Sequence, residues 1–129
     1  MTKLKKTIKT RSIKSLRSEA DRLFQEIGRQ VFGSKGCLIC HRTYSCLHHF
    51  IPKGSSTALR YNFKNGIPIC VGCHCRIHSS QDPTLSVKIK DTMGQEWFNK
   101  LSSIRHKITK TNKGYYLGVI EELKQLRDK

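Results

Sequence analysis

The chain has 129 residues, is 36% hydrophobic, and carries a formal net charge of +16 from 25 Lys+Arg against 9 Asp+Glu. That is the length of one domain with a thin core, and a charge of this size calls for a polyanionic partner, nucleic acid before any other. No stretch approaches the ~18 apolar residues of a membrane span, and no apolar segment of a secretory signal follows the basic start "MTKLKKTIKTRSIK".

The expected setting is therefore cytoplasmic, with no membrane partner. Cysteines stay reduced there, so the six in this chain favour metal binding over disulfides.

Residues 1–14 hold six Lys/Arg and no acid, which predicts a flexible basic arm that contacts phosphates. Residues 15–129 are expected to form a single domain. In 15–32, Leu16, Ala20, Leu23, Ile27 and Val31 recur at steps of three and four, which predicts an amphipathic helix with a core-facing stripe. Gly33 and Gly36 end it. Residues 37–81 change character: cysteine, histidine, glycine and proline concentrate, and between Glu26 and Asp82 there are seven Lys/Arg and no acid.

"YSCLHHFIP" reads as one strand and "NGIPIC" as a second, with the loop "KGSSTALRYNFK" between them. "VGCHCRIHSS" opens a short helix, because His74 and His78 stand at i and i+4. Residues 82–129 are helical by pattern. Pro83 suits a first turn, and Leu85, Ile89 and Met93, then Trp97, Leu101 and Ile104, keep helical steps, with Gly94 dividing them. "TNKG" reads as a turn. Residues 115–127 form a last helix with Tyr116, Ile120, Leu123 and Leu126 on one face. The fold class is α+β: two strands and a helix stapled by metal, flanked by an N-terminal helix and C-terminal helices.

"CLIC" (Cys37, Cys40) and "CVGC" (Cys70, Cys73) make two CxxC turns. Each turn brings two thiolates toward one ion, and two turns complete a closed tetrahedral set, which predicts a structural Zn2+. The thirty residues from Cys40 to Cys70 exceed the usual ribbon spacing of roughly 15–20 and leave room for a hairpin. A redox role for either CxxC needs a βαβ context that the sequence lacks. Cys46 and Cys75 are left over and are expected to be small core residues.

The stretch "CLHHFIP" sets His48 beside His49 in a strand. Successive strand side chains face opposite ways, so the two imidazoles are expected to serve different partners. From His49 to Asn65 is sixteen residues, from Asn65 to His74 nine, and from His74 to His78 four. His74 directly follows Cys73, so zinc would pin the helix carrying it to the hairpin.

Taken together, "CLIC…LHHFIP…NGIPICVGCHCRIH" resembles the HNH endonucleases, the His-Me finger or ββα-metal nucleases, over residues 37–78. "HFIPKG…LRYN…C" and the flanking basic helices carry a weak further resemblance to the phage Rap-type recombination nucleases. The resemblance implies that His48 ligates a catalytic divalent ion, His49 is the general base, Asn65 orients that base and shapes the loop, and His74 is a second ligand. His78, one turn on, serves as a third ligand or as a donor to phosphate. Asn62 competes with Asn65; Asn65 is preferred because it opens "NGIP" nine residues before His74.

Many relatives place Asp where His48 stands. An all-imidazole site is expected to prefer Zn2+, Ni2+ or Co2+ relative to Mg2+ more than a carboxylate site does. The metal that supports turnover, whether one of these or Mg2+ or Mn2+, stays open. The segment has no carboxylate to bridge two ions, so one catalytic metal is expected.

Arg60, Lys53, Lys64 and Arg76 lie near the motif in sequence and are the expected phosphate clamps. The implied activity is hydrolysis of DNA phosphodiesters, duplex or branched, in recombination or DNA processing in a bacterial or phage-infected host cell. RNA is not excluded as substrate, and a homodimer would set two centres on two strands. The competing expectation is a non-catalytic zinc-finger nucleic-acid binder that keeps the fold and the basic arm.

Overall fold

The structure, a computed structural model, describes residues 10–79 and 83–129. Most of the expected basic arm lies outside the described residues. Its described end is engaged within the chain: Arg11 pairs with Glu19 at 3.2 Å and donates to the Ser15 hydroxyl at 3.0 Å. The first helix, α1, spans Ile13–Phe32, so it begins two residues inside the expected arm. The Ser12 hydroxyl accepts from the Ser15 N–H at 3.1 Å and caps it, and Arg29 in its last turn complements the helix dipole.

Strand β1 is Cys46–His49 and strand β2 is Gly66–Ile69, preceded by a short 3-10 helix, Phe63–Asn65. Four more helices follow: α2 Val71–Ser79, α3 Thr84–Met93, α4 Gln95–Ile104 and α5 Lys113–Arg127. The described residues are thus α+β, with five α-helices and one two-stranded antiparallel sheet. None of the described helices is long and apolar enough to cross a membrane.

Two compact units divide the chain: one takes the residues up to Ile27 together with Lys110–Lys129, the other Gly28–Thr109. In the first, Leu16, Ala20, Leu23, Phe24, Tyr116, Ile120 and Leu123 are buried, and Arg17 donates to the Tyr116 hydroxyl at 3.0 Å. Leu126, expected on the same face of α5, is 47% exposed because it sits in the last turn. The "TNKG" turn is shorter than expected. The Asn112 side chain accepts from the Tyr115 N–H at 2.9 Å, so Lys113 and Gly114 already belong to α5.

The second unit carries both candidate metal-ligating motifs. The end of α1 lies against β1: Arg29 donates to the Ser45 carbonyl at 2.9 Å, and its guanidinium sits 5.5 Å over the Tyr44 ring. Gly28 permits this approach, since a Cβ there would stand 2.5 Å from Leu47 Cδ1. Val31, expected to be buried, is 50% exposed beyond this contact.

The register of the sheet pairs Cys46 with Ile69 and His48 with Ile67, and sets Leu47 opposite Pro68. Pro68 donates no hydrogen bond, and a two-stranded sheet tolerates that. Its carbonyl accepts from the Leu38 N–H at 2.9 Å, which stitches the first CxxC turn to β2. The strands end sooner than "YSCLHHFIP" suggests, because after His49 the chain leaves the ladder and Asn65 takes over its hydrogen bonds.

Among the described residues, two apolar clusters of this unit position the motifs. Ile39, Ile67, Ile69, Leu85 and Ile89 gather around Cys37, Cys70 and Cys73. Ile51, Leu59 and Leu101 form the other, with Phe50, Trp97 and Ile104 against it. Each fully buried aliphatic side chain contributes roughly 1.5–3 kcal/mol, so the second cluster is what holds the long loop after β1 against α4. Trp97 adds a hydrogen bond from Nε1–H to the Lys64 carbonyl at 2.6 Å.

Candidate metal centres and active site

The four thiols Cys37, Cys40, Cys70 and Cys73 bring their Sγ atoms within 4.8 Å of one another, and can hold a metal ion such as zinc. The first pair sits on a tight turn. Cys37 N–H donates to the Arg42 carbonyl at 2.8 Å, His41 N–H to the Cys37 carbonyl at 3.0 Å, and Ile39 N–H points at Cys37 Sγ at 3.4 Å.

The turn needs left-handed backbone at Gly36 (φ 80) and at His41 (φ 65), and a Cβ on Gly36 would also meet the Arg42 carbonyl at 2.9 Å. The second pair opens α2. Cys73 N–H donates to Cys70 Sγ at 3.4 Å, so sulfur occupies the place of an N-cap oxygen.

The donor chemistry fits a cation. Zinc–sulfur bonds of about 2.3 Å put tetrahedral sulfurs roughly 3.8 Å apart, and Cys40 and Cys70 stand at 3.5 Å. Burial opposes ionisation of Cys37, but the N–H groups of Cys40, Cys70 and Ile39 outweigh it and bring the thiol down to about 6. The Cys73 N–H likewise lowers Cys70. Burial and the surrounding sulfurs push Cys73 up to about 12. The cage therefore stabilises some thiolates and resists the last, an imbalance that a dication removes.

A second group stands beside it. His48, His74 and His78 bring ring nitrogens within 4.8 Å of one another. His74 Nε2 and His78 Nε2 are 2.9 Å apart, and the His48 ring centroid lies 5.4 Å from each of their rings. Two nitrogens bound at about 2.0–2.1 Å with angles of 90–109° need a separation of roughly 2.9–3.4 Å, so this pair also fits one ion.

The i, i+4 spacing of α2 supplies two members and β1 the third. His48 is buried, His74 half-buried and His78 exposed. Burial, reinforced by the neighbouring imidazoles, lowers His48 to about 4, and burial with His78 lowers His74. Near neutral pH both rings hold ligating lone pairs.

His49 has a separate partner. Its Nε2 lies 2.8 Å from the Arg60 carbonyl. A carbonyl oxygen only accepts, so Nε2 carries the proton and the lone pair is on Nδ1. The expected division between adjacent histidines thus has a structural counterpart: His48 joins the cluster, and His49 is tied to the loop.

Asn65 is fully buried. Its Oδ1 accepts from the Ile51 N–H at 2.7 Å, and its Nδ2 donates to the Ile51 carbonyl at 2.9 Å and the Leu59 carbonyl at 3.4 Å. It ties the chain at Ile51 to that at Leu59. The Leu59 carbonyl it meets is next in the chain to the Arg60 carbonyl that meets His49. Asn62 instead caps the 3-10 helix, accepting from the Lys64 N–H at 2.9 Å.

The expected phosphate clamps are surface cations: Lys53, Lys64 and Arg76 are exposed and Arg60 is half-buried. Arg60 lies 5.9 Å over the Tyr61 ring, and its backbone carbonyl is the group that meets the site.

The two spare cysteines are not core residues of equal kind. Cys75 is exposed, one position off the ligating face of α2. Cys46 is half-buried, its thiol raised by burial, with Sγ 3.5 Å from His74 Nδ1. The signal available in sequence was its place two residues before His48, on the same strand face. Comparisons with family models, with curated proteins and with solved structures find no match to this chain.

Proposed function

We propose that this protein is a metal-dependent DNA endonuclease of the HNH type, with one catalytic divalent ion at His48, His74 and His78 and His49 as general base. The observation that carries the reading is the 2.8 Å approach of His49 Nε2 to the Arg60 carbonyl. His49 directly follows His48 of the three-imidazole cluster, and a proton on its Nε2 is donated to the Arg60 carbonyl. In this reading Nδ1 is the nitrogen that takes the proton. The net charge of +16 supports a polyanionic substrate.

When bound, a divalent ion at the three imidazoles supplies positive charge beside the scissile phosphate and the leaving oxygen. His49 Nδ1 takes a proton from the attacking water as the new oxygen–phosphorus bond forms. The bond to the 3′ oxygen breaks, and that oxygen takes a proton from solvent. The Arg60 carbonyl keeps its hydrogen bond from Nε2–H throughout, which fixes the ring and favours the imidazolium. Asn65 holds the loop that presents this carbonyl. Lys53, Lys64 and Arg76 bind backbone phosphates and bias the protein toward contacts that carry little sequence information.

The test incubates plasmid DNA with Mg2+, Mn2+, Co2+, Ni2+ or Zn2+, and in parallel a branched junction and a matched RNA. Nicking by the wild type that vanishes in His49→Ala supports the enzyme. Binding with a steep salt dependence and no cleavage under any metal supports a zinc-finger binder instead.

A further inference from the structure

We infer that Cys46 is a positioning residue for the histidine cluster: its sulfur accepts the Nδ1–H of His74 and holds that ring with its Nε2 lone pair turned toward His78. The inference rests on the cluster being a metal site.

Alternation along β1 places Cys46 on the same strand face as His48, and the register sets it opposite Ile69, the residue before Cys70. Its thiol packs against the core cluster that contains Cys70 and Cys73. From there Sγ reaches His74 Nδ1 at 3.5 Å, while the opposite nitrogen of the same ring faces His78 Nε2 at 2.9 Å. His74 is thus held at both ends by groups from two different elements.

A neutral imidazole has one proton to place. If it sits on Nδ1, it is donated to sulfur and Nε2 accepts from His78 or ligates. If it sits on Nε2, the ring points a proton into the cluster and the thiol must donate to Nδ1. Thiols are weak donors and imidazole N–H groups are stronger ones, so the first pattern wins. It is also the ligating pattern. Histidine ligands commonly fix their tautomer by donating the second N–H to a carboxylate, carbonyl or water. Here a thiol takes that place.

The test uses the full chain with zinc in the cysteine cage and no metal at the histidines, labelled with 15N on histidine. Two-bond 15N–1H spectra report the tautomer of each ring. Wild type is expected to show His74 as the Nδ1–H form, Cys46→Ser to keep it, and Cys46→Ala to move toward the Nε2–H form. Titration with Ni2+ then reads affinity. Outer partners of histidine ligands are typically worth 10–100-fold, and a weak sulfur acceptor belongs at the low end, so Cys46→Ala should bind about ten-fold more weakly. Cys46→Ser should restore most of the loss.

An Nε2–H form of His74 in the wild type overturns the inference, as does an alanine variant that changes neither tautomer nor affinity. Failure of the wild type to bind Ni2+ would sink the metal-site reading instead, and the tautomer of His74 would still decide the role of Cys46.

Discussion

The cysteine cage and the histidine cluster share one hairpin and one helix, yet they are built to opposite ends. Cys70 and Cys73 open α2, and His74 and His78 follow on the same helix. The cage offers four sulfurs, three of them buried, and backbone N–H groups point at those sulfurs. Four donors fill a tetrahedral ion, so what it gains is structure. The cluster offers three nitrogens graded from buried His48 to exposed His78, so an ion held there would keep further coordination positions open. One helix, α2, thus carries both a closed donor set and an open one. In the proposed reading, an ion in the cage would anchor the helix that presents the histidines.

The largest effect should come from breaking the cage. Removing its metal with a strong chelator, or replacing Cys73 with serine, should abolish the cooperative thermal transition of the Gly28–Thr109 unit. Structural zinc in small domains contributes on the order of 10–16 kcal/mol apparent. A mild chelator that strips only the histidines should leave circular dichroism and melting unchanged and stop cleavage. If both treatments unfold the protein equally, the contrast between the sites is lost.

Next in size is His49→Ala. It should lower single-turnover cleavage by about 10²–10⁴-fold, with Ni2+ affinity and DNA binding retained. His48→Ala should instead weaken Ni2+ binding at the cluster by at least about ten-fold, while one zinc per chain stays in the cage by elemental analysis. Equal loss of metal in both variants would erase the distinction drawn between adjacent histidines.

Asn65→Ala should cost about 1–3 kcal/mol in denaturant unfolding, since it leaves the buried N–H and carbonyl of Ile51 without a partner. Cleavage should fall with it as the Arg60 carbonyl loosens. The smallest effect is expected for Lys53→Ala or Arg76→Ala, each of which should reduce the slope of log affinity against log salt by about one and leave the unfolding midpoint in place.

Much of this was legible in the sequence. Leu16, Ala20, Leu23 and Ile27 announced α1, and Gly94 marked the division between α3 and α4. The paired CxxC turns foretold the thiol cage. Helix ends were read less well: Val31 and Leu126 continue their stripes in sequence but lie in final turns, about half exposed among the described residues. Strand length was overestimated because apolar residues after His49 serve the second core cluster and not the ladder.

What is settled within one turn or one strand was already written in the order of residues. The CxxC spacing fixes two thiols on a turn, i and i+4 fix two imidazoles on a helix face, and alternation separates His48 from His49. Those relations follow from backbone geometry alone. Which distant groups meet came from the packing of the fold: the Arg60 carbonyl with His49, Cys46 with His74, the Lys64 carbonyl with Trp97. Such pairs join residues 11, 28 and 33 positions apart. Chain spacing at that range sets no contact until burial of Ile51, Leu59, Leu101 and the cysteine core fixes how the segments lie.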